Sequence, residues 1–350
     1  MIKNHANKDI SGFFSNKKTV IQFVLSLLVF YIHFRVFSTF EYTTKPLSTL
    51  LDALMSLTSV AVPLFFAISG ALFYRDYTLN KTLQKWKSRF FSLCVPYLIW
   101  NTIWLILALL GYYTPLGAYL GGVKTPLTLE SILTGIFLHG FFEPFWFILR
   151  LIELTILCPV IYLILRNKVI GLSVIGAWIA LMLLGIDNIG GYNIRQDKII
   201  MYFIGAWVGM HHFDWVTCRR SKKQAIICLM IYIICSFFMG TKHLLPQWMP
   251  VTQIECLVII ISSIAFYVSF DLFSIESSPS FMKESFLIYA MHSLIGPALS
   301  KIIRMLLPEG NIYTLLTAVI VFPTTIVFIC TFAKLLGRYT PKLKKVLAGR

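Results

Sequence analysis

Long apolar runs separated by short polar stretches set the pattern of this chain. Runs at about 19–38, 56–74, 91–112, 145–165, 169–186, 199–212, 224–240, 251–270, 286–306 and 312–334 stand out. A membrane-crossing helix needs roughly 20 mostly apolar residues. The pattern therefore predicts an all-α integral membrane protein with about ten transmembrane helices, the sixth being the shortest. The run LESILTGIFLHGFF at 129–142 is apolar but too short to span comfortably, so it is predicted to be interfacial or re-entrant.

Composition excludes the other classes. Apolar residues make up 57% of the 350 positions and charged residues only 13%, more apolar surface than a soluble fold of this length can hide. Disordered chains are poor in aromatics, and this one has 29 Phe. No linker, low-complexity tract or soluble appendage is visible. The chain reads as a single membrane domain, 1–350, with a polar segment at 1–18 and a basic tail at 335–350.

The formal net charge is +16, and its distribution orients the helices. With both termini cytoplasmic, 22 of the 31 Lys and Arg fall in cytoplasmic pieces, as the positive-inside rule requires. Treating 129–142 as a full span would invert everything after it and spoil the bias. The weakest piece is the loop 271–285, which carries Lys283 against three acids. No nucleic-acid motif accompanies the basic balance, so the expected partner is membrane lipid. The seven cysteines lack C-x-x-C spacing and mostly lie in apolar runs, which points to small packing residues. No metal site is expected. The first apolar run lacks a small-residue cleavage site and reads as a retained helix.

Polar residues inside the apolar runs are the candidates for chemistry. In TVIQFVLSLLVFYIHFRVF, Gln22, Ser26 and His33 are spaced by 4 and 7 and share one helix face. Gln22 and His33 are separated by about 16 Å along the axis. In VAVPLFFAISGALFYRD, Ser69 offers a hydroxyl beside Gly70, and Gly70 also suits ordinary small-residue packing. Arg75 opens a basic stretch that includes Lys87 and Arg89. Membrane topology explains such a stretch, and so does a landing site for a polyphosphate. Arg150 and Glu153, three apart in FWFILRLIELTILCP, can pair within a span. In SFLIYAMHSLIGP, Tyr289 and His292 are one turn apart.

Taken in order, His33, VPLFFAISGAL, RFFSLCVPYLIW, WFILRLIELTILCP with its Trp146, YFIGAWVGM and SFLIYAMH resemble the acyltransferase family 3 of integral membrane enzymes. The resemblance covers nearly the whole chain. It implies transfer of an acyl group, usually acetyl from acetyl-CoA, to a hydroxyl of a cell-surface or exported glycan or a lipid-linked sugar. It also implies a functional first-helix histidine at His33 and residence in the plasma membrane. The family commonly has Arg eleven residues before that histidine, where this chain has Gln22. Glutamine can orient a group by hydrogen bonds but cannot neutralise a phosphate. Lys17, Lys18, Arg75 and Arg89 are the nearby cations that would supply the missing charge.

The expected arrangement follows. His33, with Gln22 and His292, forms the catalytic group. Acyl-CoA, a co-substrate and not a bound cofactor, docks its phosphates on Arg75, Lys87 and Arg89. Ser69, Trp146, Arg150 and Glu153 shape the acceptor site. Two other readings stay open on sequence alone: a multi-span transporter or flippase, and a non-catalytic membrane subunit of surface-glycan assembly.

Overall fold

A computed structural model describes residues 2–34, 54–114, 128–186, 188–189, 192–193, 197–246, 250–306 and 317–350. The end of the first run at 35–38, the stretch 115–127 and the start of the tenth run lie outside the described residues. Apart from a two-residue ladder pairing Asn188–Ile189 with Tyr192–Asn193, every described element is helical.

The α-helices are α1 (Ile2–Phe34), α2 (Ala61–Tyr74), α3 (Thr82–Arg89), α4 (Val95–Tyr113), α5 (Leu129–Phe137), α6 (Trp146–Ile156), α7 (Cys158–Leu165) and α8 (Lys168–Leu183). They continue as α9 (Asp197–His211), α10 (Phe213–Thr217), α11 (Lys222–Thr241), α12 (Val251–Ser269), α13 (Ser285–Leu306), α14 (Phe322–Tyr339) and α15 (Pro341–Leu347). Each of the ten predicted runs contains a helix in its described part. Among the described residues, seven helical stretches are long and apolar enough to cross a membrane, and an eighth would be the bent pair α6–α7. The other two, α8 and α9, have 16 and 15 residues.

Two predicted elements differ in shape. The run at 145–165 is not one straight helix: α6 and α7 meet at 67°. Pro159 has no N–H to return to the Thr155 carbonyl. That carbonyl instead accepts from Trp86 Nε1 at 2.8 Å, so the helix breaks and its freed acceptor is satisfied by α3. The run at 91–112 belongs to a longer helical stretch, Leu79–Tyr113, in which the polar α3 passes into α4 through a π-helical turn over Phe90–Cys94. The 129–142 run forms the nine-residue α5, started by a Thr128–Ser131 capping box.

The chain forms two compact units. The first holds Met1–Ile32, Glu41–Leu79 and Pro159–Lys283. In it α2 crosses α9 at backbone contact. A Cβ on Gly205 would strike the Ala67 backbone, one on Gly209 the Ala71 backbone, and one on Gly70 the Tyr202 carbonyl. Small residues four apart on both helices permit this approach, the means by which helices associate where no hydrophobic effect separates side chain from lipid.

The same unit buries a charge cluster. Lys17 is 1% exposed and Asp271 is 0% exposed, and they are 2.7 Å apart. The Arg220 backbone N–H also donates to Asp271 at 3.2 Å, with its guanidinium 3.8 Å away. Lys17 is therefore not part of a free polar N-terminal segment. It lies inside a helical stretch, Gly12–His33, that is apolar enough to span, because Asp271 neutralises it there. Two of the three acids of the 271–285 loop are likewise committed: Asp271 to Lys17, and Glu284, in the second unit, to Lys344 at 2.9 Å.

The second unit holds His33–Phe40, Asn80–Cys158 and Glu284–Arg350. Indole and phenol donors tie its helices to carbonyls elsewhere: Trp100 Nε1 to Leu347 at 3.0 Å and Tyr97 Oη to Phe137 at 2.8 Å. Buried polar groups in a membrane domain need such partners.

Candidate active site

The second unit gathers most of the candidate residues. His33 ends α1 and is exposed, whereas His292 on α13 is 1% exposed. Their imidazole centroids are 5.4 Å apart with ring planes inclined by 32°. His292 Nδ1 lies 2.7 Å from the Tyr289 carbonyl and 3.2 Å from that of Ile288. A carbonyl only accepts, so Nδ1 carries the hydrogen and the neutral ring keeps its lone pair on Nε2. One helical turn thus fixes both the tautomer and the orientation of a buried base.

An aromatic wall backs the pair. Phe142 lies 6.1 Å from His292 and stacks on Trp104 at 4.7 Å with only 5° between planes. Phe145 stacks between Tyr97 and Tyr289, at 5.9 and 5.7 Å. The Tyr289 hydroxyl donates to the Pro144 carbonyl, which anchors the segment that carries Phe142 and Phe145. Asn101 stands on α4 one turn from both Tyr97 and Trp104. It is fully buried.

The α6 candidates share a face, since Trp146, Arg150 and Glu153 are spaced by 4 and 3. Trp146 packs on Phe147 at 6.5 Å, and Phe147 in turn reaches Tyr289 at 6.2 Å. Arg150 and Glu153 form the predicted pair at 2.5 Å, both about a third exposed or slightly more, at 35% and 40%. Ahead of α6, His139 takes a left-handed backbone conformation with φ of 50°. Burial, aided by the positive charge of Arg150, holds its imidazole below the ordinary value of 6.5.

Lys87 and Arg89 line a cleft of about 380 Å³ between α3, the π-helical turn and α6. Trp86, Phe90, Cys94 and Ile152 give it apolar walls. π-Helical turns shift side-chain direction by one position and often mark functional sites.

The remaining candidates belong to the first unit. Gln22 is half-buried on α1, and Ser26 above it bonds back to the Phe23 carbonyl at 2.7 Å. Ser69 is half-buried on α2. Arg75 is held locally, with Nε 2.7 Å from Asp76 and its guanidinium 5.0 Å over Phe213. The set Arg75, Lys87 and Arg89 is thus divided between the units. Lys17, one of the cations offered in place of an arginine at position 22, is committed to Asp271.

Sequence reasoning passed over Asn101, Trp104 and Phe142. Asn101 had a signal, a lone amide in the run YLIWNTIWLILALL, where polar side chains are costly. Phe142 had none, since one Phe among 29 is not distinctive until a fold places it beside an imidazole.

A family model described as an acyltransferase domain, Acyl_transf_3, matches residues 19–334. The chain belongs to acyltransferase family 3 and is a multi-pass membrane protein built around an acyltransferase domain. No curated protein and no solved structure matches it.

Proposed function

We propose that the protein is a membrane O-acyltransferase of the plasma membrane. It moves an acyl group, acetyl in the simplest case, from acyl-CoA to a hydroxyl of a cell-surface or exported glycan. The observation that carries this reading is the His33–His292 pair, two imidazoles 5.4 Å apart against an aromatic wall. Two histidines side by side in an apolar bundle have no structural necessity, and an imidazole can both accept and return a proton.

In this mechanism the exposed His33 takes the proton of the acceptor hydroxyl as its oxygen attacks the thioester carbonyl. The tetrahedral intermediate collapses with loss of CoA thiolate, and the proton on the imidazole passes to that sulfur. His292 orients and supports His33; its own ring is held by the Tyr289 carbonyl. With the rings 5.4 Å apart, a proton on one imidazole disfavours a second on the other. Trp104, partly exposed and stacked on the buried Phe142, offers an apolar ring for one face of a sugar.

The donor reading rests on Lys87 and Arg89. Their cleft combines two cations with apolar walls, as the phosphates and pantetheine arm of CoA require. A ten-span arrangement with both termini cytoplasmic puts this cleft on the cytoplasmic side, where acyl-CoA is found, and the end of α1 on the opposite side, where the glycan emerges.

The test is release of CoA thiol from acetyl-CoA by the purified chain with cell-envelope glycan present. Acceptor-dependent release that is lost in His33→Ala supports the reading. Undiminished release in a correctly inserted His33→Ala protein refutes the role given to His33. The absence of release with any acyl-CoA refutes the activity.

A further inference from the structure

The first unit contains an apolar slot lined by none of the candidate site residues. It holds about 320 Å³ between α2, α9, α10 and α12. Leu64, Ala67, Ile204 and Ile264 are among its walls. The glycine contacts of Gly205 and Gly209 bring α2 and α9 together at their backbones, which leaves no large side chain to fill the space beside the crossing.

One end of the slot has a different chemistry. Trp215 and Tyr267 line it there, and each ring carries a cation on a face: Arg220 lies 4.1 Å from the Trp215 ring and Lys17 4.0 Å from that of Tyr267. His212 lines the same end. Arg75, one turn beyond the lining residue Ala71, lies over Phe213, the neighbour of His212. Lys17, Arg220 and Arg75 reach this end over those rings and Lys18 interacts with Arg75, while Asp271 pairs with Lys17 and Asp76 with Arg75, so the balance there is positive. The slot is thus apolar along its length and positive at one end.

That profile is the complement of an amphiphile with a negative head. A methylene takes up about as much room as a water molecule in the liquid, about 30 Å³, so the slot accommodates about ten chain carbons. Half-buried cations beside a membrane surface favour anionic headgroups.

We propose that this slot binds one acyl chain of an anionic phospholipid, with the lipid phosphate held at the end formed by His212, Arg75 and Arg220. The site is independent of the donor cleft, which is lined by residues of the second unit. A lipid seated there touches α2, α9 and α12 at once and braces their crossing.

The test uses the full-length protein in detergent, offered phosphatidylglycerol, phosphatidylcholine and oleic acid at equal concentrations and read by native mass spectrometry. The expected result is one phosphatidylglycerol retained per chain, preferred over phosphatidylcholine by about five- to tenfold. Ala67→Phe and Ile264→Phe fill the slot from opposite walls, and either variant that keeps the wild-type thermal unfolding profile should lose the retained lipid. Equal retention of phosphatidylcholine, preference for the fatty acid, or lipid kept in a folded filled variant would each overturn the proposal. If neither variant folds, the headgroup preference of the wild type decides it alone.

Discussion

The imidazole of His292 lies 5.4 Å, centroid to centroid, from that of His33, and its Nδ1–H is given to the carbonyl of Tyr289. The buried ring is thereby held in one tautomer beside an exposed one. His292→Asn retains an N–H in the neighbourhood of the Tyr289 carbonyl but removes the second imidazole. The variant should keep its melting temperature within a few degrees and lose about 10²- to 10⁴-fold in kcat, the range for a positioned acid–base group. Its pH–rate profile should also change shape, because one member of a coupled pair has gone. Steady-state kinetics over a pH series, with thermal unfolding alongside, checks both.

The buried Lys17–Asp271 pair makes a stability prediction. Removing one partner leaves a charge in a desolvated site, which costs about 3–5 kcal/mol. Asp271→Leu should be the more damaging single change, because it strands both Lys17 and Arg220. Lys17→Met leaves Asp271 with the Arg220 backbone N–H and should cost less. Half-life at a fixed temperature in detergent, measured for both variants, gives the order.

The α2–α9 crossing should tolerate no added methyl group on its glycine side. Gly205→Ala places a Cβ against the backbone of Ala67, and backbone cannot rotate away as a side chain can. We expect a loss of about 1–3 kcal/mol or more from overpacking. Gly176, which has nothing within 4 Å of a built Cβ, is the control, and Gly176→Ala should be neutral or slightly stabilising. Thermal unfolding of the two variants separates the effects.

His139 gives the pH dependence. Its folded value lies below the ordinary 6.5, first because it is buried and then because Arg150 is near. The unfolded chain therefore binds this proton more readily, and stability falls as pH drops from 6.5 toward the folded value. In His139→Gln this part of the pH dependence should disappear. Melting temperatures of both proteins from pH 7.5 to 5 test it.

Much of this architecture was legible in the sequence, for a physical reason. A spanning helix must be apolar along its whole length, so each of the seven candidate spans among the described residues announces itself without help from distant residues. The bend between α6 and α7 was less legible. Pro159 was visible, but whether it ends, kinks or merely begins a helix depends on who takes the Thr155 carbonyl, and that partner is Trp86, 69 positions away. The site was legible in the same uneven way. His33 and His292 stand out because imidazoles are rare in apolar runs, whereas Phe142 is one of 29 and gains meaning only from its contact with His292. The charge balance misled at Lys17: a lysine before an apolar run reads as solvated, and only the buried Asp271, 254 residues away, explains why it is not.

The most direct test of the account is acceptor-dependent CoA release by wild type, His33→Ala, His292→Ala and the double variant, measured on equal amounts of folded protein. Groups that act as one unit are not additive. The account expects both single variants to fall by about 100-fold or more, and the double variant to fall little further than the worse of the two. Near wild-type release in either single variant, or losses that multiply in the double, would contradict a paired role for the two histidines.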